Sequence, residues 1–307
     1  MNAAPQAVSN GQEITFRLAP DLPSFDSLGV SSPGVLLDEE RPLDRARLVA
    51  SEGAFERLLL PLPGTPLEPG GSMTESPRGA GTGWVQLDRW RRVPLGTLLG
   101  LRFGNPRSSS VADRQWNLLC HLRAQGIGTP EPLAVGARGK GLVCRDSFLV
   151  TRAFEEGTVS LDQLVAGGDQ GEPSPDAMEH AAKALIVVLR ALGDARVNLP
   201  ELDARGFWLR FSPHVHDPKI EADKDAGCGL SQLASWRADR AMAGLSRDPR
   251  PAVFVSNVGG GRLLSRPSGA FLNQLLDSIE VSLSAAVGDA NGSARQAALM
   301  GVLRAGT

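Results

Sequence analysis

The sequence predicts an α+β chain in two lobes, a small β-rich one with a single inserted helix and a larger, mostly helical one. Three observations predict it. Between residues 54 and 154, short apolar runs are separated by Gly, Pro and polar turns, and one stretch, Val111–Leu122, carries helical spacing instead. Beyond residue 157 the dominant pattern is helical: Met178, Ala181, Leu185, Val188, Leu189 and Leu192 form one apolar stripe within Pro175–Leu192. The regular strand–helix alternation of a doubly wound sheet is missing from the second half.

Taken in order, residues 1–50 are rich in Pro, Ser and Asp and read as a loosely ordered arm with one short strand at Glu13–Leu18. A strand at Ala54–Leu60 is followed by the breaker-rich loop Pro61–Gly83, then by strands at Gly83–Leu87 and Thr97–Phe103. Ser108–Ser110 opens a helix on which Val111, Gln115, Leu118, Leu119 and Leu122 recur. Ser110 and Asp113 make a capping pair for it, and Gly126 ends it. Leu142–Phe154 reads as two short strands about a polar turn at Arg145-Asp146, leading to a hinge near Phe154–Gly157. Helices follow at Leu161–Ala166 and Pro175–Leu192, then a strand at Phe207–Phe211, a charged loop at His214–Gly229 and a short helix at Leu230–Ala243. Ala252–Val258 is a buried strand running into Gly259–Gly261, read as a flexible turn, and helices at Ser268–Val287 and Ser293–Leu303 close the chain. The expected division is therefore an arm at 1–50, a first lobe at 51–156, and a second at 157–307 with a charged insertion near 214–250.

Composition narrows the function classes. The 307 residues allow one large domain or two modest ones with a real core. A net charge of −2, from 32 basic and 34 acidic residues, argues against a nucleic-acid binder. Three cysteines without CxxC spacing fit a reducing cytosol better than a disulfide scaffold, and Cys120 reads as a small core residue. The start lacks a basic region followed by an apolar one, and Ala184–Leu189 is too short to span a bilayer. A cytoplasmic protein without a transmembrane segment is expected, with peripheral membrane contact left open. His214, His216 and Asp217 offer a metal-like pair with no visible third ligand, so a solvated loop is expected there. Val258–Arg262 lacks the Gly-Lys-Ser/Thr ending of a phosphate loop.

Three runs carry a resemblance. They are Ala112-Asp113-Arg114-Gln115-Trp116-Asn117-Leu118-Leu119, Gly126-Ile127-Gly128-Thr129-Pro130-Glu131-Pro132-Leu133-Ala134-Val135-Gly136, and Ser147-Phe148-Leu149-Val150-Thr151. Together they resemble the lipopolysaccharide kinase (Kdo/WaaP) family, whose fold is protein-kinase-like. The match runs over roughly residues 84–304 and thins after residue 195. The resemblance implies a kinase-like two-lobed fold. It also implies a site in which a strand lysine pairs with a helix glutamate, one aspartate orients the acceptor hydroxyl, and an aspartate and an asparagine hold Mg²⁺ on ATP.

At each matched position this chain carries a different residue. Arg102 stands for the strand lysine, and its planar fork is a poor copy of a compact ammonium. Gln115 stands for the helix glutamate and cannot form the ion pair. With Phe207 as anchor, Glu201 takes the base position and Gly206 the metal-ligand position; a shift of two residues would make Asp203 the base. Asn257 stands for the second metal aspartate, an uncharged oxygen where a hard dication favours a carboxylate. The candidates are thus Glu201 and Asp203 as catalytic residues and Arg102, Gln115 and Asn257 as cofactor-binding ones, with no metal set. The resemblance so qualified implies a degenerate member, a pseudokinase that binds or scaffolds a protein or envelope-precursor partner in lipopolysaccharide metabolism. Its alternative is an active ATP-dependent kinase for a sugar or lipopolysaccharide-type substrate, with ATP and Mg²⁺ as cofactors. A third reading is a nucleotide sensor without transfer.

Overall fold

Seven antiparallel strands form the sheet of the first half, with β7 (Asp146–Arg152) at its centre and β5 (Trp84–Trp90) beside it. The computed structural model describes residues 6–9, 12–38, 46–63, 83–104, 108–139, 144–154, 158–167, 173–211, 252–256, 258–259, 261–264, 269–287 and 290–307. The strands are β1 (Gln6–Ser9), β2 (Gln12–Leu18), β3 (Arg47–Glu52), β4 (Phe55–Pro61), β5 (Trp84–Trp90), β6 (Pro132–Arg138) and β7 (Asp146–Arg152), in the order β1-β2-β6-β7-β5-β4-β3. Side chains alternate across a strand, and β5 serves both faces. Val85 and Leu87 enter a cluster with Phe25, Leu28, Leu36 and Phe148, while Trp90 enters the one containing Trp116, Leu119 and Leu149. The β3–β4 connection is tight, with Gly53 at φ 57° in the left-handed region that glycine tolerates.

Two helices, α1 (Leu95–Gly104) and α2 (Val111–Ala124), are inserted between β5 and β6. The expected capping of α2 is present: Ser110 Oγ accepts the Asp113 N–H at 3.1 Å, and Asp113 Oδ2 accepts from Ser109 Oγ at 2.5 Å. The strand expected at Thr97–Phe103 is instead helix α1. Both edges of β5 are already taken, by β4 and β7, so a strand directly after it has no neighbour to pair with. The run is also leucine-rich, and Thr97 is its only β-branched residue.

The span 1–50, expected as a loose arm, contributes to the sheet and to the core. Strand β2 pairs with β6 over Ile14–Leu18, and 3-10 turns at Phe25–Leu28 and Pro33–Leu36 bury Phe25, Leu28 and Leu36. An Asp38–Arg138 ion pair ties the end of this stretch to β6. These apolar residues are spaced by turns rather than by a helical or strand period, which hides them from pattern reading. The strands β1, β3 and β6 add to those expected in this half. Six of the seven residues of β6 are buried, so it shows no polar–apolar alternation. One strand, β7, covers most of the span read as two. Cys120, expected in the core, is exposed.

The second half holds β8 (Thr158–Ser160), α3 (Leu161–Ala166), α4 (Pro175–Asp194), β9 (Val197–Asn198), β10 (Phe207–Arg210), β11 (Ala252–Val255), β12 (Arg262–Leu263), α5 (Gly269–Ala286) and α6 (Ala290–Gly306). Ser174 caps α4 by accepting the Ala177 N–H at 3.2 Å. The α4 stripe, with Ala181, Leu185, Leu189 and Leu192, lies in one core with Ile279 and Leu283 of α5 and Leu299 and Leu303 of α6. Strands β8, β10 and β11 form a small sheet, and β9 pairs with β12. The expected loop at 214–229, its histidine pair and the helix at 230–243 lie outside the described residues. Among the described residues no helix is long and apolar enough to cross a membrane.

Leu36→Ala is expected to lower unfolding free energy by about 2–5 kcal/mol, because it opens a cavity in a fully buried site. Denaturant titration measures it, and a loss under about 0.5 kcal/mol would contradict the integration of this segment. Ser110→Ala is expected to cost about 1 kcal/mol through loss of the α2 cap, read in the same way.

Candidate functional site

Helix α2 connects the sheet to the loops of the helical half. Trp116, Leu118, Leu119 and Leu122 supply its apolar side, and Arg114 and Gln115 lie one turn from its start. Arg114 is buried, and its Nε donates to the Gly261 carbonyl. Burial pushes its pKa below the usual arginine value, nearby Arg262 adds to the push, and Glu201 opposes it. At the other end of α2, His121 Nε2 lies 2.8 Å from the Ala195 carbonyl oxygen, just after α4. The Val255 N–H donates to the Gly128 carbonyl at 2.8 Å, adding a backbone link between β11 and the segment that follows α2.

Between β9 and β10 the chain turns through Leu199–Gly206. Glu201 is exposed, and it converges with Gln115 on Gly259. A β-carbon on Gly259 would overlap Glu201 Oε2 and lie 3.7 Å from Gln115 Nε2. One on Gly261 would lie 2.5 Å from Leu118 Cδ2 and 2.7 Å from Leu199 Cδ2. At Gly261 the Val258 carbonyl also lies 2.8 Å from that position, so the close approach read from sequence as a flexible turn favours glycine there.

Asp203 faces elsewhere. Its Oδ1 accepts the Arg205 N–H at 3.0 Å, capping the 3-10 turn Ala204–Gly206, and its Oδ2 accepts from Arg205 Nε at 2.9 Å and Nη2 at 2.7 Å. Those hydrogen bonds and the Asp203 charge raise the Arg205 pKa. Gly206 offers only its carbonyl, which accepts the Ser256 N–H at 2.8 Å and the Ser256 hydroxyl at 3.3 Å. The Ser256 Oγ in turn accepts the Trp208 indole N–H at 3.0 Å.

Of the expected residues, the fold thus brings Gln115 and Glu201 together and turns Asp203 onto its own loop. Arg102 lies in α1 rather than on a strand, so the expected strand position for it is overturned. Asn257 lies outside the described residues. The strand that precedes the Gln115 helix in the sheet is β5, and its buried polar residue is Asp88. Asp88 Oδ1 and Oδ2 accept from Arg57 Nε and Nη2 at 2.7 and 2.9 Å, and Gln86 Nε2 lies 3.2 Å from both oxygens. Burial disfavours the Arg57 charge, but the Asp88 charge and hydrogen bonds outweigh it and raise the Arg57 pKa. Sequence reading missed this group. The available signal was the run Leu87-Asp88-Arg89-Trp90, where an acid interrupts an apolar strand opposite Arg57.

Among the described residues, Asp203 and Gly206 offer no free carboxylate to a magnesium–nucleotide. The glycine at 206 has no side chain, its carbonyl is already engaged, the Asp203 carboxylate is held by Arg205, and an acid stands on the strand before α2. A hard dication bridging phosphates needs free carboxylate oxygens. At the connection between the halves, Phe154 stacks on Trp208 with centroids 4.8 Å apart and approaches Phe254 at 5.8 Å.

Comparison with solved structures gives low identities. WaaP in complex with acyl carrier protein is similar at 16% identity, over 83% of this chain and 78% of that one, with a TM-score of 0.45. The BubR1 kinase domain is similar at 6% identity over 86% and 51%, with a TM-score of 0.37. A double mutant of the Mycobacterium tuberculosis PknI kinase domain is similar at 13% over 82% and 69%, with a TM-score of 0.34. A search of the curated proteins returned no match by sequence. The match by family is direct: residues 78–215 fit the model described as the Lipopolysaccharide kinase (Kdo/WaaP) family. That match spans less than half of the chain, and over it the chain is similar to the Lipopolysaccharide kinase (Kdo/WaaP) family.

Proposed function

We propose that this chain is a kinase-like binding or scaffolding module with impaired phosphoryl transfer, acting on a protein or envelope-precursor partner on the cytoplasmic side. The observation that carries the reading is the turn Glu201–Gly206. Its buried acid, Asp203, is engaged by the turn it caps and by Arg205, and the residue at the family's metal-ligand position, Gly206, has no side chain. Phosphoryl transfer depends on positioning and on stabilising charge. Removing one such stabilising group commonly costs about a hundredfold or more in rate.

A second reading has one observation in its favour. Glu201 is exposed and approaches Gly259 together with Gln115, which places an acid where an active enzyme with an altered site would orient an acceptor hydroxyl.

Coupled detection of ADP release, with ATP, Mg²⁺ and a sugar or lipopolysaccharide-type acceptor, separates the two. The expected result is no acceptor-dependent release above background. Asp203→Ala is expected to lower stability by about 1 kcal/mol, through loss of a cap, without changing that background. Acceptor-dependent release that vanishes in Glu201→Ala or Asp203→Ala would overturn the impaired reading.

A further inference from the structure

We propose that the sheet roof facing α2 is built to reject nucleoside phosphates, with Asp88 as the discriminating residue and Arg57 as its neutralising clamp. The inference deepens the proposed function and rests on its kinase-like reading. It adds that the chain works without a nucleotide, rather than binding one unproductively.

The strand order places the position. In kinases the cation that grips the phosphates lies on the third strand of the first lobe, next to the helix that follows. Here a tight hairpin, β3–β4, pairs with β5, and α1 and α2 follow. The two faces of β5 are distinguished by their packing. Val85 and Leu87 join the N-terminal cluster, whereas Trp90 joins the cluster containing Trp116 and Leu119 of α2. A period of two therefore sets Gln86, Asp88 and Trp90 on the side of α2. Their neighbours on β7, Thr151, Leu149 and Ser147, share that face.

On this face the position suited to a cation holds a carboxylate that is 5% exposed. Arg57, directly across the strand pair, cannot take over the phosphate role while two of its N–H groups, on Nε and Nη2, bind Asp88 in a fork. A phosphate entering here meets a buried like charge, and drawing Arg57 away would leave Asp88 unpaired in the interior. The side chains on this roof thus form a closed, near-neutral network. Gln115 on α2 adds no charge to it.

Binding of ATP, adenosine and inorganic pyrophosphate to the full chain, followed by thermal shift and isothermal calorimetry, tests the proposal. The wild-type chain is expected to bind ATP no more tightly than adenosine, with or without Mg²⁺, and to show no response to pyrophosphate. That arm needs no variant, so it decides even if a substitution impairs folding. Asp88→Asn keeps the shape, removes the charge and frees Arg57, and is expected to tighten ATP at least tenfold relative to adenosine. Tenfold or greater preference for ATP over adenosine in the wild-type chain would overturn the proposal. So would a folded Asp88→Asn variant that gains no ATP affinity. ATP binding without ADP release would overturn only this inference, whereas acceptor-dependent release would overturn the impaired-transfer reading itself.

Discussion

Helix α2 has to satisfy two partners at once, and that constraint organises both halves of the chain. Its apolar residues pack beneath the sheet, yet Arg114 reaches the Gly261 carbonyl and His121 reaches Ala195. A buried guanidinium is tolerable only where acceptors meet it. The segment after β11 must therefore come close to α2, and glycines at 259 and 261 permit that approach. The same closeness brings Glu201 and Gln115 to one point. The convergence of these two residues is thus a consequence of how the halves are joined, whatever chemistry the point retains.

The buried acids Asp38, Asp88 and Asp203 are matched within the protein. Arg57 is held by Asp88, Arg205 by Asp203, and Arg138 by Asp38. Breaking such a pair by removing one partner is costly when the other stays buried. A charge already clamped in this way is poorly suited to follow a transferring phosphate, which calls for preorganised groups aimed at the reacting atoms. Clamped charges hold a shape. The aromatic stack of Phe154 on Trp208 adds a contact of the same kind between the connecting segment and β10.

Much of the architecture was legible in the sequence, for local reasons. The α4 stripe, the Ser110 cap and the strand read at Ala252–Val258 each carry their signal within a few residues; the first two appear in the structure, and the third appears as Ala252–Val255 with Val253 and Val255 buried. The segments that were misread depend on partners far along the chain. Thr97–Phe103 could pass as a strand until the sheet order showed both edges of β5 occupied. The first residues looked loose because their apolar side chains are spread over 3-10 turns, and only packing against Phe148 and Val85 gathers them into a core. The exposure of Cys120 likewise depends on which side of α2 meets the sheet.

The candidate site divides in the same way. By itself the sequence determined side-chain identity, an amide at Gln115, a carboxylate at Glu201 and no side chain at Gly206, which the resemblance sets against the family's phosphoryl-transfer residues. The placement of the strand cation was a matter of tertiary structure. Asp88 lies on the face of β5 turned toward α2 because strand pairing sets the register, and register sets which face a side chain occupies. Tertiary structure also decided between the two acids of the loop. Asp203 is drawn away by the Arg205 fork, and Glu201 is left beside Gln115, a choice made by hydrogen-bond geometry that no linear spacing encodes.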